Sequence, residues 1–141
     1  MKLLVPVDGS APSLRAVKLA IAMAKTARSS ELLLVTVQNL AALGAADLGF
    51  LDPTLTRQAA RRGGEKALRK AIAAAKAAKL NFSTKVEIGP IAESVAKIAR
   101  QEKVEHIVMG TRGLGGVRGL LLGSVATQLI HLVEVPVTLV K

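Results

Sequence analysis

His106-Ile107-Val108-Met109-Gly110-Thr111-Arg112-Gly113 is a short apolar run that ends in two glycines standing three apart, and a leucine-rich segment leads from there to Gly123-Ser124. The run reads as a strand and Ser124 as the opening of a helix. The chain thus passes from strand through flexible turns to a helix N-terminus. Glycine lets backbone N–H groups approach a ligand closely, and a helix start adds unpaired donors and partial positive charge. That combination receives an anion. The amides of Ser124, Val125 and Ala126, with the Ser124 and Thr127 hydroxyls, are candidates to hold phosphate oxygens, and Arg112 and Arg118 could add charge. A Walker loop is excluded because no lysine precedes Ser124. A dinucleotide fingerprint is excluded because nothing of Gly-x-Gly-x-x-Gly form follows the first strand.

Working outward, strand and helix signals alternate. Leu3-Leu4-Val5-Pro6-Val7 is strand one, and Ser10 caps a helix that carries Pro12 in its first turn, where a missing N–H is harmless. Leu14, Val17, Ile21 and Ala24 recur at helical spacing. Leu32 to Val37 is strand two, apolar throughout, as strands buried on both faces are. Residues 39–53, with Gly44, Gly49 and Pro53, have no period and form a long loop. A second helix runs from about Thr54 to Lys79, Phe82 to Ile88 alternates as strand three, and Gly89-Pro90 turns into a helix faced by Ile91, Val95 and Ile98. After strand four, His106 to Met109, the helix from Ser124 presents Val125, Leu129 and Leu132. Pro136 to Val140 is strand five.

Five strands alternating with four helices predict one α/β domain over residues 1–141, an open parallel sheet with helices on both faces. Right-handed crossovers leave few strand orders, among them 3-2-1-4-5, which reverses between strands one and four. Ligands of such sheets bind beyond the strand carboxyl ends at the reversal. The turn Asp8-Gly9-Ser10 and the glycine loop would then lie side by side.

Composition narrows the classes further. Half of the 141 residues are apolar, with no Trp, Tyr or Cys, so disulfides and thiolate chemistry are excluded. No apolar run is long enough to span a bilayer, and Pro6 and Asp8 interrupt the first one, so a cytoplasmic address without a membrane partner is expected. The net charge of +10 invites a nucleic-acid reading. The positive residues are spread over the predicted helices, however: Arg57, Arg61, Arg62, Lys66, Arg69, Lys70, Lys76 and Lys79 punctuate one alanine-rich helix. They read as a solvated face, and stacking platforms for bases are almost absent. Attraction to nucleic acid at low salt is expected, and a specific nucleic-acid partner is not. His106 and His131 lack ligand-type neighbours, so no metal site built from protein ligands alone is expected. Asp8 admits two readings, ordering its own turn or contacting a ligand; its place at the predicted crevice favours the second.

With these residues in view, the chain resembles the universal stress protein family along its whole length. The opening Leu4-Val5-Pro6-Val7-Asp8-Gly9-Ser10 is similar to that family's start. The family motif Gly-x2-Gly-x9-Gly-Ser/Thr is matched by Gly110, Gly113, Gly123 and Ser124, and the ending Val135-Pro136-Val137-Thr138-Leu139-Val140 is also similar. The resemblance implies a Rossmann-like α/β fold of the adenine-nucleotide α-hydrolase kind, ATP binding in the nucleotide-binding branch, and a homodimer through Val137–Val140. Carried over by position, Val7 and Val37 would flank the adenine, with Pro6 beside them. Asp8 would hold the ribose or a metal-linked phosphate, and Met109, Gly110, Gly113, Gly123, Ser124 and Val125 would wrap ribose and phosphates. Thr36 departs from the histidine that many members have there. Leu120, Leu121 and Leu122 read as core or dimer packing.

The expected function is an ATP-binding sensor or regulator of stress response, with Mg²⁺ or Mn²⁺ arriving on the nucleotide. Phosphoryl transfer needs a positioned base and strong charge stabilisation, and Asp8 alone supplies a carboxylate near the cradle. No catalytic residue is therefore assigned, and turnover is expected to be slow at most. A slow adenine-nucleotide hydrolase that needs a partner and a nucleotide-free dimeric interaction module are the alternatives. A phosphate cradle with an adenine slot also fits AMP, ADP or a cyclic dinucleotide.

Overall fold

The computed structural model describes residues 1–27, 29–40, 52–113 and 122–141. Its elements are β1 (Lys2–Pro6), α1 (Ala11–Thr26), β2 (Glu31–Gln38), α2 (Pro53–Ala77), β3 (Asn81–Ile88), α3 (Ile91–Gln101), β4 (His106–Gly110), α4 (Ser124–Leu132) and β5 (Val137–Val140). The strands form one parallel sheet in the order β3-β2-β1-β4-β5, with β1 between β2 (Leu3 opposite Leu32) and β4 (Leu3 opposite His106). The order and the strand–helix alternation match the sequence expectation. Helix two begins one residue before Thr54, because Asp52 caps it by accepting the Thr54 amide at 2.8 Å and Pro53 takes the first position. Gly44 and Gly49 of the long loop lie outside the described residues, as do Gly115, Gly116, Arg118, Leu120 and Leu121.

Two cores sandwich the sheet. Connections β1→β2 and β2→β3 step in one direction across the sheet, whereas β3→β4 and β4→β5 step in the other. Right-handed crossovers therefore place α1 and α2 on one face and α3 and α4 on the opposite one. Leu3, Val5, Leu32 and Leu34 pack with Val17 and Ala20 of α1 and Leu68 and Ala71 of α2. Leu4, Leu33, Val35 and Ile107 pack with Val95 and Ile98 of α3 and Leu129 of α4. Apolar residues at successive positions of β1 and β2 thus go to opposite cores, which is why those strands show no polar alternation.

Gly64 lets α2 settle onto this sheet. A Cβ there would stand 2.6 Å from Val86 Cγ1 and 3.1 Å from Thr36 Cγ2. Thr36 is buried and its hydroxyl accepts from Gln38 Nε2 at 3.3 Å. His106 serves the sheet as well, its Nε2 lying 2.8 Å from Thr138 Oγ1 across the β4–β5 pair.

Candidate functional site

The crevice beyond the carboxyl ends of β1 and β4 is built from two turns. On the β1 side, Val7 extends the sheet pairing by donating its amide to the Val35 carbonyl at 2.7 Å. Asp8 then folds back: its Oδ1 accepts the Ser10 amide at 2.9 Å. Gly9 between them has φ +83°, a left-handed backbone that a side chain disfavours, and it rests against Ala67 of α2. Ser10 is buried and caps α1, its Oγ accepting the Ser13 amide at 3.3 Å while its carbonyl takes the Ser13 hydroxyl at 3.0 Å. The turn-ordering role of Asp8 is thus present, and it occupies one carboxylate oxygen.

The other oxygen points across the crevice. A Cβ on Gly113 would lie 2.5 Å from Asp8 Oδ2, closer than real Cβ atoms come, so the two turns meet through a bare glycine backbone. Gly110, the last residue of β4, abuts the first turn of α1: a Cβ would stand 2.9 Å from Pro12 Cβ and 3.0 Å from the Pro12 carbonyl carbon. Two motif glycines therefore permit close backbone approach between the β1 side and the β4 side.

Thr111 then closes the base of the loop. Its amide donates to the Val140 carbonyl at 2.8 Å, and its own carbonyl accepts the Gly123 amide at 2.6 Å. A Cβ on Gly123 would sit 3.2 Å from that carbonyl oxygen. The two ends of the loop are thereby clasped, and Gly123 delivers the chain into α4. Thr111 was not singled out in the sequence. A polar residue between an apolar strand and Gly113 was the signal available, but its partners lie on β5 and at the far end of the loop.

Helix α4 starts at this crevice without a side-chain cap among the described residues. Gly123 occupies the cap position, and the first turn of the helix holds no acidic residue. The first N–H groups of a helix have no intrahelical partner, so the amides from Ser124 to Ala126 carry the partial positive charge of the helix start. Ser124 is exposed, Val125 half-buried and Ala126 buried. The Thr127 hydroxyl donates to the Gly123 carbonyl at 3.0 Å, so its proton is engaged within the helix and only its lone pairs face outward. Arg112 is exposed beside Gly113.

The structure thus gathers Asp8, Gly110, Arg112, Gly113, Gly123 and Ser124 around one crevice, with Pro6 and Met109 at the ends of the two strands behind it. The adenine-flanking pair sits differently. Val7 is buried in the α1–α2 core, whereas Val37 is half-buried against the α3–α4 core, so their side chains occupy opposite faces of the sheet. A separate cavity of about 430 Å³ opens between α2 and β3, lined by Leu68, Ile72, Val86 and Ile88 together with Arg57 and Arg61. No motif glycine lines it, and it holds no constellation of reactive groups. Among the described residues there is no cluster of three or more metal-ligating side chains.

The donor set suits a phosphate-bearing ligand better than a bare metal or a carbonyl substrate. It offers backbone amides at a helix start, close-approach glycines, a guanidinium and one carboxylate. The family model described as the universal stress protein family matches residues 1–141. A universal stress protein of Methanocaldococcus jannaschii, MJ0531, is 32% identical over 140 residues, covering 99% of this chain and 81% of that protein. The solved structure of the hypothetical protein MJ0577 superposes with a TM-score of 0.80 at 27% identity, over 99% of this chain and 94% of the other. A universal stress protein in complex with cAMP superposes with a TM-score of 0.71 at 26% identity, over 100% and 96% of the two chains.

Proposed function

Since this chain belongs to the universal stress protein family, we propose that it binds an adenine nucleotide in the crevice between Asp8 and the glycine loop. The observation that carries this reading is the meeting of Asp8 Oδ2 with the side-chain-free backbone of Gly113, beside the uncapped start of α4. Phosphate oxygens would take the amides of Ser124, Val125 and Ala126, with Arg112 adding charge. Asp8 Oδ2 would accept from a ribose hydroxyl or hold a divalent cation carried by the phosphates. Adenine would lie beside Pro6, Val37 and Met109, with Gly110 and Gly123 keeping the walls close, while Val7, buried on the opposite face, would offer only its backbone. The structural relative solved with cAMP supports an adenine nucleotide as the ligand class. ATP with Mg²⁺ or Mn²⁺ is the form proposed.

The role proposed is that of a nucleotide-dependent regulator of stress response in the cytoplasm, paired into a homodimer through β5. This strand is half-buried and lies at the sheet edge, where an unpaired ladder favours association with a second chain. Turnover should stay near background, because Asp8 orders its own turn through Ser10 and no second base accompanies it in the crevice among the described residues. Robust ATP hydrolysis abolished by Asp8→Ala would overturn the regulator role.

Mass spectrometry of the protein purified without added ligand, followed by calorimetric titration with ATP, AMP and cAMP, tests the binding itself. A retained adenine nucleotide or a one-site titration is expected. Absence of both for every adenine nucleotide would favour the nucleotide-free dimeric module. One observation speaks for that second reading: Gly110 is demanded by protein packing, and Gly123 is packed tightly against the Thr111 carbonyl, whether or not a ligand is present.

A further inference from the structure

The basic residues that look scattered along the sequence are gathered by the fold on one side of the sheet. Helix α1 carries Arg15, Lys18 and Lys25 with no acidic residue. On α2, Arg57, Arg61, Arg62 and Lys66 are followed by Arg69, Lys70 and Lys76, against the single acid Glu65. All of these basic residues are exposed. On the opposite side, α3 offers Lys97 and Arg100 against Glu93, and α4 has no Lys, Arg, Asp or Glu. Nearly the whole formal charge of +10 therefore stands on the α1–α2 layer.

Helix stability does not account for this pattern. Arg62–Lys66 and Lys66–Lys70 are like-charge pairs four residues apart, which weaken a helix, and Arg61–Glu65 (3.2 Å) is the one ion pair found among the described residues of α2. Solubility would be served as well by interspersed signs. At about 100° per residue, Arg62, Lys66 and Arg69 lie opposite the buried Ala60, Leu68 and Ala71, so they project straight outward. From Arg62 to Lys76 the outward charged face is about 21 Å long, since Arg57 and Arg61 turn toward the cavity between α2 and β3. That length spans on the order of six base pairs of a duplex carrying one charge per about 1.7 Å.

We propose that the outer face of α1 and α2 binds the phosphate backbone of duplex nucleic acid without reading its sequence. Single strands are disfavoured because this face offers no aromatic side chain on which bases could stack. A bilayer is disfavoured because the apolar side of α2 is spent on the sheet, leaving charge but little to insert. What remains is attraction to a rigid polyanion, driven by counterion release.

Fluorescence anisotropy with two unrelated 20-base-pair duplexes, read between 50 and 200 mM salt, tests the proposal, with anionic vesicles as a parallel probe. Binding of both duplexes with similar affinity and a steep salt dependence is expected. Lys66→Ala/Arg69→Ala should weaken binding about tenfold and lower the log–log salt slope by up to about 1.8, as two lost phosphate contacts require. The charge-matched Lys97→Ala/Arg100→Ala should leave both unchanged. Thermal melts confirm that each variant folds. The proposal is overturned if no duplex binds at 150 mM salt, if the α3 pair weakens binding as much as the α2 pair, if one duplex is strongly preferred, or if vesicles bind and duplexes do not.

Discussion

The two ends of the sheet are held together by opposite means. At the carboxyl end the contacts are made at glycines that bring no side chain of their own: Gly110 against Pro12, Gly113 against the Asp8 carboxylate, and Gly123 against the Thr111 carbonyl. At the amino end they are made by long charged side chains. Lys2 Nζ stands 2.8 Å from Glu102 Oε2, Lys85 Nζ reaches the other oxygen of Glu102 at 3.4 Å, and the Lys2 amide donates to Glu105 at 2.9 Å. Flexible side chains in water yield when a neighbour changes, whereas apposed backbones do not. The end proposed to receive the nucleotide is the one where glycines let backbone come close.

The sharpest way to break the comparison is to add side chains at the carboxyl end. Gly123→Val places a branched side chain against the Thr111 carbonyl and at the mouth of α4, and under the nucleotide reading it should abolish the calorimetric ATP signal altogether. Sedimentation of the same variant should report the same oligomeric state as wild type. A variant that titrates like wild type would show that the loop closure is irrelevant to binding. Gly110→Ala comes next and acts on stability. Its Cβ meets the Pro12 carbonyl carbon at 3.0 Å and the Ser13 amide at 3.1 Å, and backbone cannot swing away as a side chain can. A loss of about 2 kcal/mol is expected, within the usual range for overpacking, and chemical denaturation would measure it. Asp8→Asn should be milder: it keeps the oxygen that orders the turn and removes the charge facing Gly113, lowering Mg²⁺-ATP affinity about tenfold, or about 1.4 kcal/mol, while thermal stability barely moves.

These contrasts also explain what the sequence could and could not reveal. The strands were legible because β1 and β2 are buried on both faces, so Leu3 to Val7 and Leu32 to Val37 stand out as unbroken apolar runs. The α1 start was legible because Ser10 and Pro12 act locally. The motif spacing of Gly110, Gly113, Gly123 and Ser124 pointed to a cradle. It said nothing of why each glycine is needed, since Pro12 and Asp8 are remote in sequence from the glycines they touch. Thr111 escaped notice for the same reason. The basic face was missed differently. Each lysine and arginine was visible, but reading them helix by helix made them look dispersed. The handedness rule that puts α1 and α2 on one side had to be combined with the charges before the asymmetry emerged.

The smallest expected effect lies at the amino end and sharpens the comparison through pH. The hydrogen bonds from Lys2 and Lys85 hold the Glu102 carboxyl below its usual range, and the bond to Glu102 in turn raises the Lys2 ammonium above its own. Glu102 follows the last turn of α3, where a negative charge opposes the helix dipole, so its ionised form depends on those two lysines. A carboxyl whose pKa is lowered on folding stabilises the native state above the pKa it has in the unfolded chain. That contribution disappears as pH falls through the lowered value. For Lys2 the sense is reversed: the stabilisation is complete below the unfolded lysine pKa and fades as pH rises through the raised one. The bridge therefore works across the whole neutral range and fails at both extremes. Thermal melts of wild type and Glu102→Gln should differ slightly at neutral pH and converge toward strong acid, where wild type loses the same charge. A difference that persists unchanged in acid would mean that Glu102 acts there through packing rather than through its charge.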